Sequence, residues 1–154
     1  MISEVKIFAP ASVANVSCGF DVLGFCLEPV GDLIHVKMNE KPGVYIENIK
    51  GYDVPKNPLD NVACVAVDAL LKSYSSKNGF SISIEKKIKP GSGIGSSAAS
   101  SAGAVYAVNE LLGRPFKREE LLDFAMVGEA LASGEYHADN LAPVLLGGFT
   151  LVRS

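Results

Sequence analysis

Pro90-Gly91-Ser92-Gly93-Ile94-Gly95-Ser96-Ser97-Ala98-Ala99-Ser100-Ser101 places three glycines at alternate positions and follows them with paired serines. Glycine accepts positive φ and lets backbone approach a ligand closely. No Asp or Glu occurs from Gly91 to Asn109, so nothing in the stretch repels an anion. The Walker A loop requires Gly-Lys-Ser/Thr at its end, and no lysine follows Gly95. A Rossmann fingerprint requires G-x-G-x-x-G in a βαβ unit, and the spacing here is G-x-G-x-G. A flexible turn explains glycines and serines, but three glycines and paired serines opening a long helix exceed what a turn needs.

The flanks supply that helix. Phe80–Ile88 alternates Phe80, Ile82 and Ile84 on one face and predicts a strand. Ala98, Ala102, Val105, Val108 and Leu112 keep helical period until Gly113-Arg114-Pro115 stops it. The loop therefore opens a helix, where unpaired N–H groups and the positive dipole end attract anions without a cationic side chain.

Further out, Val5–Ala9 predicts a strand ended by Pro10. Phe20–Leu27 and Asp32–Met38 predict two strands separated by the turn signal Glu28-Pro29-Val30-Gly31. Val44–Ile49 is a weaker strand and 51–60 a loop. Asn61–Tyr74 predicts a helix with Asp60 as N-cap and Asn78-Gly79 as its close. Lys117–Ala132 predicts another, with Leu121, Leu122, Ala125, Met126 and Gly128 inward, and Phe149–Val152 a last strand. Strands come first and helices later, joined by hairpins, which is an α+β order.

Composition bounds the function. The 154 residues suit one domain, and 14 Lys+Arg against 17 Asp+Glu give a net charge of −3, so no nucleic-acid partner is indicated. The hydrophobic content of 48% fits either an alanine- and valine-rich core or a face awaiting a partner. Cys18, Cys26 and Cys64 lack CxxC spacing and read as small core residues in a reducing compartment. Met1-Ile2-Ser3-Glu4 has no basic leader, and no apolar run is long enough for a bilayer, so the expectation is a cytoplasmic chain without membrane partners.

Two more clusters carry polar residues in apolar settings. Asn15 and Asp21 flank Gly19-Phe20, and an Asp between Phe20 and Val22 is costly in a core unless paired; an Asx turn before a strand or a polar substrate pocket accounts for them. Glu129 continues the line of Leu122 and Met126, as a helix-edge surface residue or a site residue. It is followed by Ser133-Gly134-Glu135-Tyr136-His137-Ala138-Asp139-Asn140-Leu141-Ala142-Pro143. His137 with Asp139 is too sparse for a metal pair, and no pattern supports Cys18 with His137 as a nucleophile and base.

Residues 90–99 resemble the Pro-x-x-x-Gly-Leu/Ile-Gly-Ser-Ser-Ala phosphate loop of GHMP kinases. Within that family, Asn15 leading by six residues to Asp21 in Gly-Phe-Asp-Val-Leu-Gly is similar to the N-terminal signature of homoserine kinases, with Val13 and Ser17-Cys18 as departures. Glu129, His137 and Asp139-Asn140-Leu141-Ala142-Pro143 are similar to their third cluster. The resemblance implies a ribosomal protein S5 domain 2-like fold, with a mixed or antiparallel sheet packed with helices. It implies ATP held by Pro90, Gly91, Ser92, Gly93, Ile94, Gly95, Ser96, Ser97 and Ala98, with Asn61 near the purine. Mg²⁺ would lie between Ser97 and Glu129, and L-homoserine among Asn15, Asp21, His137 and Asn140. Asn140, Glu129 and Ser97 are then the catalytic set, with no strong protein base. A homodimer is compatible with this.

Family members continue into a second domain with a third glycine motif and arginines for the substrate carboxylate. Arg114, Arg118 and Arg153 cannot take that role from their positions, so the expectation is an N-terminal domain, residues 1–154, of a longer enzyme, weak or inactive alone. Another small alcohol such as mevalonate, a dinucleotide-dependent oxidoreductase and a non-catalytic α+β binding domain are the alternatives.

Overall fold

The structure, a computed structural model, describes residues 3–134 and 136–153. Its elements run β1 (Glu4–Val16), β2 (Gly19–Asn39), β3 (Gly43–Gly51), α1 (Val62–Tyr74), β4 (Gly79–Lys86), α2 (Ser96–Leu111), α3 (Leu121–Ser133), α4 (Leu141–Leu146) and β5 (Phe149–Leu151). The sheet order is β1-β2-β4-β3, and β5 pairs with β2 at residues 23–25, beyond the reach of β4. Ala9 and Ala11 of β1, Ile34 and Val36 of β2, and Phe80, Ile82 and Ile84 of β4 alternate onto one buried face. The helices cover that face, so the domain is a two-layer α+β sandwich, as the sequence predicts.

At its centre lies α2. Every residue from Ala98 to Leu111 is buried except Tyr106 and Glu110, because α2 packs against α1, α3, α4, β1 and β2 together. Small side chains make this possible. A Cβ on Gly103 would come within 2.9 Å of Ala9 Cβ and 3.0 Å of Ile34 Cγ1. The high apolar content is thus largely an alanine- and valine-rich core, although Phe20, Phe149 and Leu151 remain exposed.

Several boundaries differ from the sequence prediction. β1 does not stop at Pro10; an edge strand tolerates a missing N–H, and the register merely shifts between Pro10 and Ala11. Nor do Glu28–Gly31 turn the chain. Gly31 pairs with Pro10 and Leu27 with Ala11, so residues 28–30 bulge from one continuous strand across a cis Glu28–Pro29 peptide. β3 pairs with β4 in parallel, and α1 makes the crossover, so one βαβ unit sits among the hairpins.

The N-cap of α1 is Asn61, not Asp60: its Oδ1 accepts from the N–H groups of Ala63 (3.1 Å) and Cys64 (3.4 Å). That helix ends on Ser75 in the left-handed region, ahead of Asn78-Gly79. α3 starts at Leu121, not Lys117, after a turn in which Glu120 Oε2 accepts from Lys117 N–H (2.7 Å). α4 was not foreseen. Of the cysteines only Cys64 is buried, its thiol pushed up to about 12 by desolvation, whereas Cys18 is exposed. No helix among the described residues is long and apolar enough to cross a membrane.

Gly128 decides how closely α3 approaches α1 and α2. A Cβ there would meet the Val62 carbonyl oxygen, Ser101 Oγ and Ala66 Cβ. Gly→Ala inside a helix ordinarily stabilises by about 0.5–1 kcal/mol. Here backbone cannot yield cheaply, so Gly128→Ala is expected to destabilise by about 1–3 kcal/mol. A lower urea midpoint at unchanged slope is the measurement; a rise shows that the helices separate without penalty.

Candidate phosphate-binding site

The loop of residues 87–95 joins the end of β4 to the start of α2. Gly91, Gly93 and Gly95 all adopt positive φ, at 73°, 78° and 66°. A Cβ at Gly91 or Gly93 would meet nothing within 4 Å, so both face open space. At Gly95 it would strike Ser12 Oγ and lie 3.2 Å from Asn140 Oδ1. Gly95 is therefore required by conformation and by space, and it is also the N-cap of α2, with no side-chain cap. The first bond of α2 runs from Ala99 N–H to Gly95 carbonyl (2.9 Å), which leaves the helix entrance to whatever the cavity holds.

That cavity has a volume of about 620 Å³. Pro90, Gly91, Gly93, Gly95, Ser96, Ser97, Asn61, Glu129, Asn15 and Asn140 line it, whereas Ser92, Ile94 and Ala98 do not. Ala98 is fully buried, and the Ile94 carbonyl accepts from Ser12 N–H (3.2 Å), holding the loop against β1. Asn61 is nearly buried, and its amide is committed to the protein: Oδ1 caps α1 and Nδ2 donates to the Pro55 carbonyl (2.6 Å).

Ser97 and Glu129, distant in sequence, meet here. Ser97 Oγ donates to Glu129 Oε1 (2.8 Å), while Glu129 Oε2 is buried and has no partner. Glu129 is thus not the surface residue that its helix position allows. Burial pushes its carboxyl above the ordinary value, and Asp139 adds to this; the Ser97 hydrogen bond, His137 and Lys86 oppose it. An orphaned carboxylate oxygen beside a hydroxyl is a hard, oxygen-only donor pair. It fits a divalent cation that takes its other ligands from phosphate and water. Among the described residues no group of three or more His, Cys, Asp or Glu converges on a metal position.

Asn15 and Asp21 lie at the turn end of the β1–β2 hairpin, beside His137. Asn15 Oδ1 accepts from Asp21 N–H (2.9 Å), and Asp21 Oδ1 lies 3.8 Å from His137 Nδ1. Asn15, Ser17 and Asp21 all hold positive φ without being glycine, a concentration of strain of the kind found at functional sites. Asn140 Oδ1 accepts from Ser12 Oγ (2.9 Å), which turns its amide N–H₂ toward other partners. Asp139 is buried, and its Oδ1 accepts from Asn140 N–H (3.0 Å).

Sequence reasoning missed the residues beneath the loop. Lys86 lines the cavity and is buried with Asp32, although a site without a lysine was expected. Its signal was available: Lys86 continues the inward phase of Phe80, Ile82 and Ile84, where a charge demands a partner.

A glycine cradle at the entrance of a buried helix, beside a hydroxyl–carboxylate pair, gives this α+β domain a cavity suited to an anion. The family profile described as GHMP kinases N terminal domain matches residues 61–148, and the chain belongs to that family. Curated homoserine kinases of Methanococcus maripaludis and Chloroherpeton thalassium are 40% and 44% identical over 99% of this chain, and are covered over 51% and 52% of their own lengths. The crystal structure of homoserine kinase from Cytophaga hutchinsonii superposes with a TM-score of 0.94 at 48% identity, covering all of this chain and 50% of that one. A Methanococcus jannaschii mevalonate kinase structure shares the fold, with a TM-score of 0.74 at 20% identity. The chain spans about half the length of the curated relatives it matches.

Because the folded protein raises the Glu129 carboxyl above its ordinary value of 4.5, ionised Glu129 costs stability. That cost is absent below the ordinary value and present in full once pH exceeds the raised one. Glu129→Gln is therefore expected to raise the melting temperature of the ligand-free protein at pH 7.5 and to leave it unchanged at pH 4. An equal shift at both values assigns the effect to something other than charge.

Proposed function

We propose that this chain is the nucleotide-gripping half of a kinase that transfers the γ-phosphoryl group of ATP to the hydroxyl of L-homoserine, giving O-phosphohomoserine, a cytoplasmic step towards threonine. The observation that carries the reading is the trio of left-handed glycines facing a cavity at the uncapped entrance of α2, with Ser97 and Glu129 beside it. Homoserine is favoured as acceptor by the relatives at 40% and 44% identity.

Each residue then has a role. Backbone N–H groups of Gly91–Ser97 other than Ser92, whose N–H donates to the Lys89 carbonyl (3.2 Å), receive the phosphates, and Asn61 with Val54 and Pro55 shapes the wall for the purine. Ser97 Oγ and the Glu129 carboxylate would hold Mg²⁺, which when bound supplies charge neutralisation at the β- and γ-phosphates. Asp21 receives the substrate ammonium beside Asn15 and His137, and Asn140 orients the hydroxyl. Asp139 is buried and its Oδ1 accepts from a backbone N–H, so it is not offered to the hydroxyl as a base. Rate enhancement then rests on alignment and charge stabilisation, and the hydroxyl proton leaves late, to phosphate or water.

Two measurements test this. Titration of ATP into the chain is expected to move the amide signals of Gly91–Ala98 above all others, and an unmoved loop removes the nucleotide reading. In the whole-length protein, ATP and homoserine should yield O-phosphohomoserine by ³¹P spectroscopy, with no product from mevalonate. Asp139→Asn should retain turnover; a loss of about a hundredfold or more, the scale of a general base, with homoserine binding intact refutes the baseless mechanism.

A further inference from the structure

Behind the loop lies a charged group that the proposed function has not used. Lys86 Nζ donates to Asp32 Oδ2, to the Ser96 carbonyl (2.6 Å) and to Ser100 Oγ (2.9 Å). An ammonium has three N–H donors, so all are committed. Both partners of the pair are almost wholly buried, with side-chain exposures of 1% and 0%.

The pair has a direction. Lys86, Ser96 and Ser100 line the cavity, whereas Asp32 is absent from its wall. Asp32 Oδ1 instead accepts from the N–H groups of Lys87 (2.8 Å) and Ile88 (2.9 Å), behind the loop. The positive end thus looks toward the cavity and the negative end away from it. Ser96 Oγ completes the arrangement by donating to the Ile88 carbonyl (3.1 Å).

Stability alone does not favour this placement. A cation beside a helix N-terminus opposes the macrodipole, which prefers an anion there. Burial pulls the Lys86 ammonium below its ordinary value despite Asp32, a sign that desolvation outweighs the partner. A buried pair of this type is often no more stabilising than apolar residues of the same volume. The sign that is wrong for an empty helix end is right for one that receives a polyanion.

Resting on the reading of the cavity as a triphosphate site, we propose that Lys86 is a positioning residue for phosphoryl transfer. It draws the Ser96 carbonyl away from the ligand, so that the first N–H groups of α2 face the phosphates. It also presents the positive end of its pair with Asp32 from behind the loop, without touching the nucleotide.

Calorimetry with ATP, inorganic tripolyphosphate and adenosine as separate probes tests this. Lys86→Met is expected to weaken ATP and tripolyphosphate by about tenfold, the scale of one charge-assisted interaction, and to leave adenosine unchanged. A merely structural role would weaken all three in step with a fall in melting temperature, and that outcome overturns the proposal. Full tripolyphosphate affinity in a folded Lys86→Met variant overturns it too, while leaving the phosphate site itself standing. Failure of the unaltered protein to bind either polyphosphate removes both. Should Lys86→Met not fold, the paired variant Asp32→Leu/Lys86→Met, which leaves no lone buried charge, is expected to fold and show the same tenfold loss. In the unaltered protein, ¹⁵N-lysine labelling should give a Lys86 ammonium signal that exchanges slowly and shifts with tripolyphosphate. A signal unmoved while the loop amides shift decides against the proposal.

Discussion

The carboxylate of Asp32 fixes where β4 ends, and from that the loop, the helix entrance and the cavity follow. It accepts from the N–H groups of Lys87 and Ile88 and from the buried Lys86 ammonium, so three donors converge on one side chain of β2. Two of those donors are the backbone groups that would otherwise be stranded as the strand leaves the sheet. The third reaches across to the first turn of α2. Removing one partner of such a pair typically costs about 3–5 kcal/mol, because the other charge stays buried alone. One ion pair therefore couples the sheet to the helix whose end forms the site.

The identity of α2 explains why that end is available. A helix packed on nearly every side needs small residues at its tightest contacts, and Ala98, Ala99, Ala102, Gly103, Ala104 and Ala107 supply them beside the buried Val105, Val108 and Leu111. Such a helix lies deep, so its entrance opens into a cavity rather than onto free solvent. Opposite it, Glu129 brings the negative charge, raised in pKa because it is buried, with one oxygen unpartnered. A positive helix entrance facing a carboxylate across a cavity is poorly matched to a lone anion or a lone cation. It is well matched to a polyphosphate carrying its own divalent cation, which presents both signs at once.

The sequence revealed most where local conformation constrains residue choice. Left-handed backbone at 91, 93 and 95 writes glycine into the chain, and inward phasing writes Phe80, Ile82 and Ile84. Asn61 and Asp60 are both good caps, so the α1 boundary slipped by one residue. Pro29 and Gly31 carry turn chemistry, yet β1 on one side and β4 and β5 on the other keep the chain extended. The parallel pairing of β3 with β4 depends on a crossover that no short window contains. Lys86 with Asp32 and Ser97 with Glu129 bridge residues 54 and 32 apart, and each looks ordinary until its partner is known. Family resemblance joins Ser97 to Glu129, whereas periodicity alone leaves Glu129 on a helix edge.

Burial divides the site into two parts of different character. The phosphate side is held by residues sealed in the core: Ser12, Asp32, Lys86 and Ser100 are all 4% exposed or less. The other part hangs on the turn end of the β1–β2 hairpin, where the side chains of Asp21 and His137 are 45% and 38% exposed. Ion pairing in that much water is weak and screened, so Asp21 and His137 hold each other only loosely. If this end receives an alcohol as proposed, its selectivity would depend on what else lies against it, whereas the buried residues beside the glycine loop are already enclosed by the domain. The relatives that this chain matches are about twice its length. In the proposed function, the phosphate half of the site thus rests on sealed pairs and the acceptor half on solvated ones.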